Sequence, residues 1–472
     1  MTTWLWILGG LYLAVLVYAT VYSRRRTRSS DDYVLAGSNV GLFWGFLTFS
    51  ATVFSTFTLM GMPDFFRTHG VGAWIFLAVA DGAVAFLILW FGYHIRRRVA
   101  EKGFKGVAGL LNDCYGHRWG GYVYFAGVFL FLVPYVAIQI RGIGIFLNAA
   151  FPEALPVWGW ATVIVFIMLA YSEVGGLKAI IYSDALQGVL LLVVTWIIAL
   201  GCIRYFGGVA PMFEQVRAAD ERLLSTPGPQ GLFTAQFLVA SFLAILLLPV
   251  TQPQLTTRIV IMRDTRSMHR MAVAFGVFAM LVVLATLPIG MYGAIRYADA
   301  PTSEFLANVL LFDQAPAVAA LAAIGLIAAA MSTADSQIFA LGGELRSLLS
   351  GHERVVMVRT KLAIVFFAGA ALVFAILSSD QLVLLARVSF AGTSLLGPMV
   401  LAGIFSRRPP GLEVVVVTAL GVLVFLGSLA GWLPATLGPV RMDLGLILLV
   451  SLIILGSVVF RHAHARTVSR VS

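Results

Sequence analysis

Charge is what this sequence of 472 residues has least of. Asp, Glu, Lys and Arg together make up 11% of it, whereas apolar residues reach 60% and mean hydropathy is +0.94. Ordinary soluble domains carry roughly 25% charged residues, so a large soluble protein is excluded. Disorder is excluded as well, because it needs low hydrophobicity. Cysteine is nearly absent: Cys114 and Cys202 fall on opposite sides of the topology derived below, which argues against a mutual disulfide. The seven histidines are scattered and form no His-Glu-x-x-His pattern, and no span shows a Ser–His pairing, so a membrane-embedded enzyme finds no support. Short alternating apolar segments are missing, which excludes a β-barrel. No basic run precedes the first apolar segment and one follows it, the reverse of a secretory signal peptide; the segment reads as a retained anchor.

What is present is long apolar runs. Thirteen of them are expected to be helices, approximately 4–22, 42–66, 73–95, 120–147, 157–173, 180–205, 233–257, 270–296, 315–345, 358–378, 381–405, 412–432 and 443–460. Only helices or closed barrels satisfy the backbone in hydrocarbon. The net charge of +10 might have suggested nucleic acid, but its placement gives another meaning. Most of the 32 basic residues fall on alternate loops: Arg24–Arg28 after the first span, Arg96–Lys102 after the third, Arg258–Arg270 after the seventh, Arg346–Lys361 after the ninth, Arg407 and Arg408 after the eleventh, and Arg461, Arg466 and Arg470 in the tail. Loops rich in Lys and Arg stay in the cytoplasm. The expectation is an amino terminus outside, a carboxyl terminus inside and a multi-pass protein of the cell (inner) membrane. Its partners are then the lipid bilayer and a small-molecule substrate, not nucleic acid, and no obligatory protein partner is evident.

Three spans are abnormal. The second reads GLFWGFLTFSATVFSTFTLMGMPDFF, with Thr48, Ser50, Thr52, Ser55, Thr56 and Thr58 in its middle and Gly61 and Pro63 behind them. Such polar density suits an interrupted helix lining a cavity, where freed carbonyls bind an ion; the plain alternative is hydroxyls that bond back to their own helix or join helices. The seventh carries Pro249 and Pro253. Interrupted spans at corresponding positions point to inverted repeats around a midplane site, here two groups of five helices. In the ninth, Ala329, Ser332, Thr333 and Ser336 share one face, and Asp335 stands on its shoulder. Hydroxyls and backbone carbonyls can ligate a monovalent cation such as Na⁺ with little net charge. Two carboxylates inside spans, Asp184 and Asp335, are candidate functional groups by position. For Asp184 a salt bridge to Lys178, or a favourable place at a helix amino terminus, is the plain alternative. Asp81, in the third span, has no assigned role.

Three stretches together resemble the sodium/solute symporters, the family of the sodium/proline, sodium/galactose and sodium/sialic acid transporters. They are DDYVLAGSNVGLFWGFLTFSATVFS, GGLKAIIYSDALQ from Gly175 to Gln187, and AAAMSTADSQ from Ala328 to Gln337. The resemblance implies an all-α, LeuT-type fold of five plus five helices within about thirteen spans. The implied parts are the first helix and basic loop (1–40), the first repeat (41–206), an outer loop (207–232), the second repeat (233–406), and two peripheral helices with a cytoplasmic tail (407–472). It also implies Na⁺ as coupling ion, held by carbonyls of Ala51, Phe54 and Ala329 and hydroxyls of Ser332 and Thr333. Asp184 matches a carboxylate tied to ion coupling. Ser336 matches a second ion position used by some relatives, but Asp335 stands where those relatives have Ser, which leaves proton coupling or a second cation open. Val53, Ser55, Thr56 and Thr58, with Gln252 on the seventh span, are the implied substrate contacts.

Two arginines lie in the outer halves of spans, Arg141 and Arg387. Arg387 is expected to snorkel to the interface. Arg141 is expected to meet a carboxylate, as an arginine on that helix does in one relative, since guanidinium and carboxylate pair bidentately. The expected function is sodium-coupled symport of a small carboxylate-bearing solute by alternating access. A membrane sensor built on the same fold is the rival; no signalling domain follows Arg461, which argues against it.

Overall fold

The computed structural model describes residues 1–26, 30–378 and 382–471; Arg28 and Gln381, each part of a stretch discussed above, lie outside the described residues, and beyond Arg461 only the backbone is described. The chain is helical almost throughout. Its only sheet, among the described residues, is a hairpin of β1 (Thr436–Leu437) and β2 (Val440–Arg441), paired antiparallel with Thr436 opposite Arg441.

The helices run as follows. α1 is Thr2–Arg26. α2 (Leu42–Val53) and α3 (Phe57–His69) form one span bent by 53°. α4 is Gly72–Lys102, α5 the short Val107–Tyr115, and α6 Trp119–Ala150. α7 is Val157–Tyr205 and α8 Val209–Ala219. α9 (Ala235–Leu246), α10 (Leu248–Thr251) and α11 (Pro253–Val260) follow one another across two breaks. α12 is Thr265–Arg296, α13 Thr302–Phe312, α14 Pro316–Leu348 and α15 Glu353–Leu377. α16 (Leu382–Phe405), α17 (Leu412–Leu429) and α18 (Met442–Val471) complete the chain.

Among the described residues, ten helices are long and apolar enough to cross a membrane, and the bent pair α2–α3, taken as one span, makes eleven. Two of the thirteen expected spans are present as shorter apolar helices, Val157–Ala170 and Ala235–Leu246. The fifth and sixth spans are two helices, Val157–Ala170 and Val174–Tyr205, that follow one another within α7. The chain kinks near where they meet, at Gly176, with φ 63° and ψ −164°. Glycine alone adopts that conformation without strain, and a side chain there would meet the Tyr33 ring at 2.7 Å. α13, with a π-turn at Asn308–Phe312, lies in a stretch where no helix was expected.

The arrangement is concentric. Burial of the apolar window reaches 78% in α14 and 83% in α16, but only 22% in α1, so the first two are central and the last is peripheral. α14 packs against α2, α6, α7 and α15. The outer helices show large apolar side chains to the surroundings, among them Trp6, Phe86, Phe166 and Leu377. In hydrocarbon such a belt is the solvated face.

The expectation for Arg387 is corrected here. It does not snorkel: it is 8% exposed, pairs with Asp443 on α18, donates to Ser241 Oγ at 3.0 Å and stands 4.4 Å over the Phe237 ring. The sequence could not show Asp443 arriving from 56 residues away to neutralise it. Where α6 crosses the bend of the second span, Gly142 admits Thr56, whose Cγ2 would lie 2.2 Å from an added Cβ. Gly142→Ala should therefore destabilise by about 1–3 kcal/mol through overpacking. Gly9→Ala and Gly369→Ala, where nothing lies within 4 Å, should not lower the melting temperature in detergent; a drop as large as that of Gly142→Ala would remove the packing argument.

Candidate functional site: the interrupted helices and their ion pair

α2 ends where two local hydrogen bonds replace helical ones. Phe54 takes an extended conformation, φ −92° and ψ 126°. Ser55 N–H, the donor that would continue the helix to Ala51 O, turns to Thr58 Oγ1 at 3.3 Å, and Phe57 N–H turns to Ser55 Oγ at 3.2 Å. Side-chain hydroxyls thus compete with the helix for its own donors. The carbonyl of Ala51 is freed for other partners, and α14 supplies them. Ser332 Oγ donates to Ala51 O at 2.9 Å and to Ala329 O at 2.9 Å; Thr333 Oγ1 lies 3.4 Å from Ala51 O and 3.3 Å from Thr52 O. Four of the five oxygens expected to hold Na⁺ therefore converge. The fifth residue, Phe54, stands at the break itself, and Thr52 O joins the set without having been anticipated. All these oxygens are neutral, which suits an alkali cation. Among the described residues no cluster of three His, Cys, Asp or Glu is placed to hold another metal.

One helical turn along α14, at Ser336, lies a buried charge network that sequence reasoning missed. Asp184 does not pair with Lys178, which meets Asp32 at 3.1 Å. Its partner is Arg258, at 3.0 Å, with side chains 0% and 1% exposed. Arg258 also donates from Nε to Thr48 Oγ1 at 2.9 Å, from Nη2 to Ser336 Oγ at 2.6 Å and from Nη1 to Gln254 O at 3.1 Å. Thr48 Oγ1 in turn donates to Asp184 Oδ2 at 2.5 Å. Arg258 had been counted among the cytoplasmic loop charges. Pro253, at the first helical position of α11, carries the helix past the expected end at residue 257 and Arg258 with it. The guanidinium thus occupies the space between Asp184 and Ser336, two of the three residues considered for a second ion. The third, Asp335, is 1% exposed and neither of its carboxylate oxygens has a hydrogen-bond partner.

Beside these oxygens lies a small cavity of about 20 Å³. Val53, Thr58 and Gln252, three of the expected substrate contacts, line it together with Asp81, Tyr135 and Phe390. Two π-turns, at Phe57–Gly61 and Ile75–Val79, border it, and π-turns often mark functional positions. Gln252 sits at the break between α10 and α11 in an extended conformation; its Oε1 accepts from Gln254 at 2.6 Å and its Nε2 has no partner. Ser55 and Thr56 are buried beside the bend but do not line the cavity. Nor does Arg141, which lines a larger outer cavity of about 350 Å³ with Asn148, Ser303 and Glu304, and donates to Ala375 O at 3.2 Å. Near the carboxyl end of α14, the Glu344 carboxylate accepts from Val107 N at 2.9 Å and Ala108 N at 2.6 Å, closing the amino terminus of α5.

Interrupted helices at the centre of an all-helical membrane bundle, with neutral oxygen ligands at the interruption, define a transporter rather than an enzyme. The fold agrees. The chain superposes on a sodium-coupled sialic acid symporter, solved substrate-bound and outward-open, with a TM-score of 0.77 at 18% identity over 96% of each chain. The nucleobase–cation symporter Mhp1 gives 0.58 at 13% identity, covering 90% of this chain and 93% of its own. The chain belongs to the sodium:solute symporter family, whose model matches residues 33–409. Among curated relatives, the sodium/pantothenate symporter of Haemophilus influenzae is 23% identical, covering 70% of this chain and 68% of its own length. The high-affinity proline transporter of Bacillus subtilis is 24% identical over 82% and 84%. The sodium/sialic acid symporter of Aliivibrio fischeri is 27% identical over 44% and 40%.

Breaking a buried ion pair from one side leaves a charge uncompensated and costs about 3–5 kcal/mol, whereas removing both partners costs far less. Asp184→Asn and Arg258→Gln should each lower the melting temperature of the purified protein strongly, and the double variant should recover most of the loss. Additive losses in the double variant would show that the two side chains do not act as a pair.

Proposed function

We propose that the protein imports a small carboxylate-bearing solute, such as an organic acid or an amino acid, together with Na⁺ by alternating access. The observation that carries this reading is the convergence of Ala51 O, Ala329 O, Ser332 Oγ and Thr333 Oγ1 at the break of the second span. In the proposal Na⁺ binds there, with Phe54 O as a further ligand, and bridges α2 to α14. Binding that favours one state of a two-state bundle shifts its population by the difference in affinity. The solute sits beside the ion among Val53, Ser55, Thr56, Thr58 and Gln252. Arg141, in the outer cavity, meets its carboxylate on entry. The relatives named for pantothenate, proline and sialic acid support a carboxylate, since each of those solutes carries one. The proposed topology has thirteen spans, the amino terminus outside, the carboxyl terminus inside, and two five-helix repeats over 41–206 and 233–406. The placement of basic residues supports it.

Proton coupling is a second reading, and Asp335 favours it. A carboxylate without a partner in the membrane interior is a place for a proton. Asp184 and Ser336, engaged by Arg258, are then the wall of that site.

The two readings separate in proteoliposomes. Ser332→Ala combined with Thr333→Ala should abolish Na⁺-stimulated uptake of labelled proline, pantothenate or sialic acid, whichever the wild type carries. Unchanged sodium dependence in the double variant would falsify the site. Asp335→Asn should leave Na⁺-driven uptake in place; if uptake instead follows an imposed pH gradient and vanishes in that variant, coupling is to protons. Arg141→Gln should raise the half-saturating solute concentration about ten- to hundredfold, the worth of a charge-assisted contact.

A further inference from the structure

The central cavity holds one charged side chain, and it is negative. Asp81 is 2% exposed, follows the π-turn of α4 and lines the cavity, and its Oδ2 has no hydrogen-bond partner. No Lys, Arg or His lines the cavity. The arginines buried in this part of the bundle are engaged elsewhere, Arg258 with Asp184 and Arg387 with Asp443. Opposite in chemistry to Asp81 is Gln252 Nε2, a buried donor that also lacks a partner. The remaining wall is aromatic: Phe390 stands edge to face with Tyr135 at 4.9 Å and with Phe57 at 6.1 Å.

An unpaired acceptor that bears charge, an unpaired neutral donor and aromatic faces are together complementary to a cationic nitrogen attached to an oxygen-bearing group. They are a poor match for a purely anionic solute, which would set its negative charge beside Asp81 in a low dielectric. We propose that Asp81 receives a protonated amine of the transported solute, so that the solute is an amino-bearing acid and not a simple organic acid. This inference rests on the symport reading and selects within it. The amine takes the Asp81 carboxylate and the faces of Tyr135 and Phe390, while a carboxylate or carbonyl oxygen of the same molecule accepts from Gln252 Nε2. As it stands the void has room for about one water molecule. The solute therefore enters a wider form of it, and the two helix breaks on its border, at Phe54 and Gln252, are where the backbone can yield.

The test uses the full-length protein in detergent with NaCl, and matched pairs of solutes that differ at the nitrogen: L-proline against tetrahydro-2-furoic acid, L-alanine against L-lactate, β-alanine against propionate. The remaining common amino acids, with glycine betaine and pantothenate, complete the panel. The expected result is Na⁺-dependent thermal stabilisation by one or more amine-bearing members and by none of their amine-free counterparts. Asp81→Asn, which keeps shape and removes charge, should raise the half-saturating concentration about ten- to hundredfold while keeping the ligand-free melting temperature and the stabilisation by Na⁺ alone. The comparison of matched solutes is made on the wild-type chain, so it stands even if the variant does not fold. Equal stabilisation by amine-free acids overturns the proposal, as does a panel in which no amine-bearing solute stabilises. Loss of the Na⁺-only effect in Asp81→Asn, with that effect intact in Ser332→Ala/Thr333→Ala, assigns Asp81 to a free cation and overturns it too. Failure of the symport reading looks different: no solute effect, amine-bearing or not, then depends on Na⁺.

Discussion

In the membrane interior no water is available to a backbone N–H or C=O, so each must find a partner within the protein. That constraint makes the chain helical and gives its interruptions their meaning. At Ser55 and Phe57 the backbone donors turn to nearby hydroxyls, and at Ala51, Pro249 and Thr251 the backbone carbonyls accept from hydroxyls. Ser332 and Thr333 bind the freed carbonyl of Ala51; Tyr124 Oη donates to Thr251 O at 3.0 Å, and Thr256 Oγ1 to Pro249 O at 2.7 Å. The interruptions are thus satisfied by hydroxyl groups. A hydroxyl can give up such a bond to a cation and remain a ligand through its own oxygen, which an N–H donor cannot do.

The same scarcity of solvent explains why the few charges inside the bundle come in pairs. An isolated buried guanidinium is costly, and Arg258 and Arg387 each have a carboxylate and hydroxyl donors or acceptors around them. Asp335 and Asp81 break the pattern. Each is buried, and each retains carboxylate oxygen without a hydrogen bond. Glu344, also buried, is met by two backbone N–H groups instead of a cation. Asp335 lies on α14 beside Ser332 and Thr333, and Asp81 lines the central cavity.

Much of this could be read from the sequence, and the misses share a cause. The polar run from Thr48 to Thr58 marked the break, because hydroxyls that crowd an apolar span have no other purpose than to bond backbone or ligand. The spacing of Ala329, Ser332 and Thr333 placed three of the proposed ligands on one helix face. Arg258 was misplaced because a run of basic residues after an apolar segment looks like a loop, and only the proline at 253 signals that the helix continues. Arg387 was misjudged because its partner, Asp443, belongs to another helix; tertiary pairing leaves no local trace. The kink at Gly176 falls between the two apolar runs read as the fifth and sixth spans, where a glycine pair separates them. Asp81 was noticed but could not be assigned, since its setting is made by α2, α6, α10 and α16 together.

α14 has a property that none of its contacts shows singly. At 1.5 Å per residue, Glu344 lies about 18 Å along the axis from Ser332, and the helix runs unbroken between them, through Gly342 and Gly343. One end of this stretch is fastened to the broken second span and the other to the amino terminus of α5. A continuous helix with two fastenings cannot tilt at one without loading the other. The hydroxyls at the break and the carboxylate at the far end are therefore mechanically linked, through a backbone whose glycine pair lies next to the carboxylate.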